Sequence, residues 1–243
     1  MTSETIPQPN PSSRSPLRRT ARVLAMLLIV AGPLCAAPDP GAVDTGWILS
    51  HLARPAPTRT QFVELRDSKL LKAPLRIEGE YRRPADDTLV REVRAPYAET
   101  TTIASGNVSI ARAGKTPRNF SLSRVPELAG LQASFGALLS GDRQQLERHY
   151  RIASTGTRQD WTLTLTPKDA AFAAKVRDIV LHGRGAELRC IETAPKTGDV
   201  QRTLLAGAAH EATGVTTSAG LAALCRNETA APASGSASTG QRL

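Results

Sequence analysis

The sequence predicts an α+β fold: a mostly antiparallel sheet of short strands covered by a few short helices. Three observations carry this. From Phe62 to Leu205, apolar residues fall on every second position in one short segment after another, which is the period of a half-buried strand. Gly and Pro separate these segments at intervals of about 8–12 residues, the spacing of a meander. Between Pro126 and Arg148 the period lengthens to that of a helix, and a sheet with one apolar face needs such a cover.

The first residues stand apart from this pattern. Arg14, Arg18, Arg19 and Arg22 precede an unbroken apolar run, Val23 to Gly32, and then Pro33-Leu34-Cys35-Ala36. Positive segment, short apolar core and small residues make a secretory signal peptide. The run is too short to span a bilayer, which takes about 20 apolar residues. Residues 1–36 are therefore read as a leader cleaved near Ala36, and the chain as exported. Thr20-Ala21 departs from a twin-arginine signal, and Gly32-Pro33-Leu34 departs from the residues expected before a lipidated cysteine. Residues 37–46, rich in Pro and Gly, are read as a flexible lead-in.

Trp47 to Arg54 predicts a helix with Trp47, Ile48, Leu49 and Leu52 on one apolar face, stopped by Pro55 and Pro57. Strands follow at Phe62–Leu65, at Leu75–Tyr81 and at Leu89–Val93. Gly79 sits inside the second and marks a bulge or bend. Ala98–Ile103, Val108–Ala111 and Arg118–Leu122 continue the series. Pro126 then suits the first position of a helix and Gly141 its stop. Leu128, Leu131, Phe135, Leu138 and Leu139 share one face of it. Asp142 caps a second helix through Arg148.

The sheet resumes at Tyr150–Ala153. Trp161-Thr162-Leu163-Thr164-Leu165-Thr166 is the cleanest strand, with Trp161, Leu163 and Leu165 on one side. Thr166-Pro167-Lys168-Asp169 resembles a capping box opening a helix from Ala170 to Val176. Ile179–His182, Glu187–Glu192 and Val200–Leu205 complete the sheet. Residues 47–206 thus form one domain. Residues 207–243 are rich in Ala, Ser, Thr and Gly and read as a low-complexity, largely disordered tail.

Composition limits the function. Lys and Arg outnumber Asp and Glu by 31 to 22, and loss of the leader's four Arg and one Glu brings the net charge from +9 to +6. The basic residues alternate with acidic or apolar ones, and aromatics are 4%. Nucleic-acid binding wants a clustered basic face with interleaved aromatics, so no nucleic-acid partner is expected; anionic lipid headgroups fit the charge better. His51, His149, His182 and His210 lie in separate segments without ligand spacing, so no metal or other cofactor is expected. No nucleophile elbow, phosphate loop or dinucleotide fingerprint is present. Cys190 and Cys225 remain after cleavage. Export permits a disulfide; two unpaired thiols are the alternative.

The order of several short motifs resembles one family. These are the Trp47–Arg54 helix, Phe62-Val63-Glu64, Gly79-Glu80-Tyr81-Arg82-Arg83-Pro84 and Val93-Arg94-Ala95-Pro96. Leu138-Leu139-Ser140-Gly141-Asp142 and Trp161 to Pro167 follow. Together they resemble the bacterial LolA family of periplasmic outer-membrane lipoprotein carriers, in its divergent LolA-like branch. The resemblance implies an open, incomplete β-barrel with helices as a lid over an apolar cavity that takes acyl chains of a lipoprotein or other lipid. It also implies an inner-membrane donor, an outer-membrane acceptor and a latch in which an Arg before Pro, Arg83 or its neighbour Arg82, bonds to the lid. The expected lining is Leu75, Ile77, Tyr81, Val93, Trp161, Leu163 and Leu165 from the sheet, with the five apolar residues of the 126–140 helix as roof. No catalytic residue is assigned, and a monomer is expected. Two other readings stay open: an envelope scaffold with a filled core, and an enzyme acting on an exported lipid.

Overall fold

The computed structural model describes residues 43–66, 72–124 and 136–228, all within one unit, Pro38–Leu243. The expected signal peptide, most of the lead-in, Leu128, Leu131, Phe135 and residues 229–243 lie outside the described residues.

Eleven strands form one antiparallel sheet. In chain order they are β1 (Thr58–Arg66), β2 (Leu75–Ala85), β3 (Thr88–Ala95), β4 (Glu99–Ala104), β5 (Asn107–Arg112), β6 (Arg118–Ser121), β7 (Tyr150–Gly156), β8 (Trp161–Pro167), β9 (Val176–Arg184), β10 (Glu187–Pro195) and β11 (Gln201–Leu205). In space they run β6-β5-β4-β3-β2-β1-β11-β10-β9-β8-β7. Two meanders are therefore joined at the centre by β1 and β11, with Phe62 opposite Leu205. The sheet is not closed into a barrel: β6 and β7 are its two edges.

The bulge expected at Gly79 is present as a register shift between Glu78 and Gly79 against β3. Any larger residue there would meet the Glu92 carbonyl and the Phe62 ring. Gly183 has a similar reason: it faces Trp161 across the ladder, and the indole occupies the place a Cβ would take.

The first face of the sheet carries the main core. Phe62, Ile77, Val93, Leu163, Leu165, Ile179 and Leu181 pack there against Ile48, Leu49 and Leu52 of α1 (Thr45–Leu52), Leu146 of α2 (Arg143–His149) and Phe172 of α3 (Ala170–Ala173). Ala137 and Leu138, from the helical stretch 136–140, join them. Helix α1 begins earlier than predicted, inside the expected lead-in, because the Asp44 carboxylate accepts from the Trp47 N–H at 3.0 Å and caps it. Asp142 caps α2 as predicted, accepting from the Gln145 N–H at 2.9 Å. Helix α3 is shorter than predicted. Its cap is Asp169, and Thr166 stays in β8, where its hydroxyl donates to Asp178.

The second face corrects the reading of residues 207–243 as a disordered tail over their described part, residues 207–228. Helices α4 (Ala206–Glu211) and α5 (Ser218–Cys225) cover Val63, Leu65, Cys190 and Leu204 with Ala208, Ala209, Ala212 and Leu221. Cys190 and Cys225 are joined in a disulfide, their Cα atoms 5.1 Å apart. The first of these helices has no side-chain cap of its own. Instead the Glu187 carboxylate accepts from the Gly207 N–H at 2.7 Å, and the buried Arg189 pairs with Glu211 at the other end. Small side chains let these short helices lie close on the strands, which is why their sequence looks featureless.

Candidate functional site

Between the central strands and the helical cover lies a cavity of about 280 Å³. Its floor is built from the seam of the sheet: Thr60 of β1, Tyr81 of β2, Ile191 of β10 and Leu205 of β11. Leu52 of α1 and the pair Leu138 and Leu139 close it from the helical side. Arg54, Arg82 and Arg83 stand at its rim, with Leu89 and Leu188. Side-chain alternation selects these positions. Ile191 and Leu205 face the cavity side, while their neighbours Cys190 and Leu204 pack under the second-face helices.

Of the expected lining, Tyr81, Leu138, Leu139 and both arginines border the cavity. Ile77, Val93, Trp161, Leu163 and Leu165 do not: they are fully buried in the first-face core. Leu75 is half-buried against that core. Leu128, Leu131 and Phe135 lie outside the described residues. The sequence reading missed Leu52, Leu188, Ile191 and Leu205. Periodicity placed the strands of the last two correctly. Only the pairing of the first strand with the last brings them to the centre.

The two arginines differ sharply. Arg83 is 6% exposed. Its Nη1 donates to the Arg54 carbonyl at 2.6 Å, and its Nη2 pairs with Asp86 at 2.7 Å. The Arg54 N–H in turn donates to the Leu139 carbonyl at 3.0 Å. One residue just beyond α1 thus joins the β2 arginine to the helical stretch above the cavity. Arg82 is 41% exposed at its side chain and pairs with Glu92 at 2.7 Å.

A polar cluster lies beside the apolar floor. Arg91 donates to the Glu64 carboxylate at 2.9 Å, and the Thr203 hydroxyl donates to the other Glu64 oxygen at 3.1 Å. The Arg91 guanidinium also rests on the Phe62 ring, 4.6 Å from its centroid. Burial, reinforced by the Glu64 charge, pushes the Tyr81 phenol up to about 12. Tyr81 therefore faces the cavity as a neutral hydroxyl at any physiological pH. Among the described residues that line the cavity there is no His, Cys or Ser. The site offers aliphatic walls, two threonine hydroxyls, a phenol, the Glu187 carboxylate and a guanidinium rim.

The family described as outer membrane lipoprotein carrier protein LolA-like matches residues 36–229. Among curated proteins none matches by sequence. Solved structures similar to this chain include a LolA superfamily protein, NE2245, from Nitrosomonas europaea. It has 12% identity over 68% of this chain and 92% of that one, with a TM-score of 0.36. LprF from Mycobacterium bovis has 12% identity over 67% of this chain and 91% of its own, with a TM-score of 0.31. Superpositions at these scores carry no argument; the assignment rests on the family match.

Proposed function

The chain belongs to the LolA-like family of outer membrane lipoprotein carriers, and from that premise we propose that its cavity shields an acyl chain of a lipoprotein or other lipid during transfer through the periplasm. The inner membrane would supply the cargo and the outer membrane would receive it. The observation that carries this reading is the apolar space between the Leu138–Leu139 roof and the Ile191–Leu205 floor.

Physical magnitudes favour carriage without covalent chemistry. Each methylene kept from water is worth about 0.8 kcal/mol, so even a partly sheltered chain gains several kcal/mol. The cavity is small: ligand pockets commonly run about 300–1,000 Å³, and this one holds about 280 Å³. Admission of a whole chain therefore requires the roof to shift. The tie from Arg83 through Arg54 to Leu139 is where that movement is resisted.

Native mass spectrometry of protein purified from cells tests the reading, and co-purifying lipid is the expected result. In parallel, Leu139→Glu or Leu188→Glu should weaken binding of a fluorescent fatty acid at least tenfold. Both residues are only half-buried, so the fold should survive. Lipid-free protein with unchanged, weak probe binding in both variants would favour the scaffold reading instead.

A further inference from the structure

The second face of the sheet, opposite the cavity, brings together four groups that no linear motif connects. In β10, Ile191 lines the cavity while Cys190 and Glu192 point the other way. Cys190 is opposite His182 of β9 in the ladder, and Cys225 reaches the same place from the end of α5. Ligand atoms of His182, Glu192 and Cys225 all lie within 4.8 Å of one another. The sulfur of Cys190 is bonded to that of Cys225, and reduction would free it as a fourth donor beside these three.

We propose that when the Cys190–Cys225 disulfide is reduced, Cys190, Cys225, His182 and Glu192 form a zinc site that holds the last helix to the sheet in place of the covalent bond. This proposal does not rest on the carrier reading.

The donor set and its surroundings fit that ion. Two thiolates, an imidazole and a carboxylate suit tetrahedral zinc, and the thiolates disfavour magnesium or calcium. Zinc–ligand bonds of about 2.0–2.3 Å in tetrahedral geometry place ligand atoms about 3.3–3.8 Å apart, so the observed spread of up to 4.8 Å closes by side-chain movements of about 1 Å once the disulfide is open. Two donors already stand side by side, His182 Nε2 3.3 Å from Glu192 Oε2. An outer contact is also in place: His182 Nδ1 lies 3.5 Å from the Thr162 hydroxyl, which orients the ring. Arg202 holds the other Glu192 oxygen. Charge also closes: two thiolates and Glu192 supply −3, zinc +2 and Arg202 +1. The assembly is neutral, which a largely buried site requires.

The chemistry balances simply. A small dithiol gives the disulfide two electrons and two protons and closes to its own disulfide, leaving two thiols. Zinc then displaces both thiol protons to water. Metal and disulfide are thus mutually exclusive occupants of one place.

The test uses the full chain, reduced anaerobically and titrated with Co²⁺ as a visible stand-in for zinc. One equivalent should bind, with thiolate-to-cobalt charge-transfer and tetrahedral d–d bands that zinc then abolishes. The oxidised protein should show neither. Losing an outer partner of a metal site costs about 10–100-fold in affinity, so His182→Ala, which keeps both cysteines, should lose at least that much. Cys190→Ser with Cys225→Ser should abolish the charge-transfer band. Far-UV circular dichroism follows the fold: if reduction alone loosens it, zinc should restore it. Binding by reduced wild type no stronger than by the double serine variant, unchanged affinity in His182→Ala, or failure of zinc to restore a loosened fold would each overturn the proposal.

Discussion

At the scale of single residues, alternation decides between neighbours that the sequence left equal. Arg82 and Arg83 are chemically identical and adjacent. Both border the cavity, but Arg83 alone is buried, held against the Arg54 carbonyl. Replacing Arg83 with Leu removes its bond to that carbonyl and its pair with Asp86. A hydrogen bond from a charged group is worth about 1.5–3 kcal/mol, which urea unfolding would read as a lower midpoint. Arg82→Leu should cost far less, since its partner Glu92 is reached at the surface. Glu192 gives a pH prediction. The hydrogen bond from His182, with Arg202 adding to it against the cost of burial, holds its carboxyl down at about 2. A carboxyl lowered on folding stabilises the protein above its unfolded value of about 4.3. That contribution fades as pH falls toward 2. The stability gap between wild type and Glu192→Gln should therefore be largest near neutrality and close between about pH 4.3 and 2; a gap that stays constant would count against the pairing. Neither this pairing nor the buried Glu64 was legible beforehand, because each partner arrives from a distant strand.

At the scale of elements, legibility followed side-chain size. The strands could be read because Leu, Ile, Val and Trp alternate with Thr and charged residues, as in Trp161 to Thr166. The cap at Asp142 could be read because an Asp before a helix has few other uses, whereas at the next helix the capping box pointed to Thr166, three residues before the actual cap Asp169. The two C-terminal helices could not. Their buried side is made largely of Ala208, Ala209, Ala212 and Ala222, and alanine is common in loops as well. What fixes them is long-range: the Glu187 contact to Gly207, Arg189 against Glu211, and the Cys190–Cys225 bond. That bond closes a loop with a sequence separation of 35. Opening a native loop of this size costs about 2–5 kcal/mol. Cys225→Ser should show a loss of that order in urea unfolding of metal-free protein. A change below about 0.5 kcal/mol would mean that apolar packing alone secures the last helix.

At the scale of the molecule, the family and the antiparallel architecture were legible, whereas the position of the cavity was not. The sheet residues nominated for its lining came from the strongest apolar alternation, and those positions, Leu163 and Trp161 among them, are the most tightly filled. The cavity lies instead at the seam, where weaker strands meet. A chain ending at Leu205 should expose Val63, Leu65 and Leu204, which the last two helices cover. Binding of a hydrophobic dye and loss of solubility would show it. The seam has a further consequence. Phe62 finds its partner Leu205 only across nearly the entire domain. As the polypeptide emerges from the ribosome, each meander can form hairpins by itself, but the midline stays unzipped until the last strand arrives. An unfinished copy thus has no stable middle, and the emerging protein keeps a loose, threadable form until its synthesis is nearly complete.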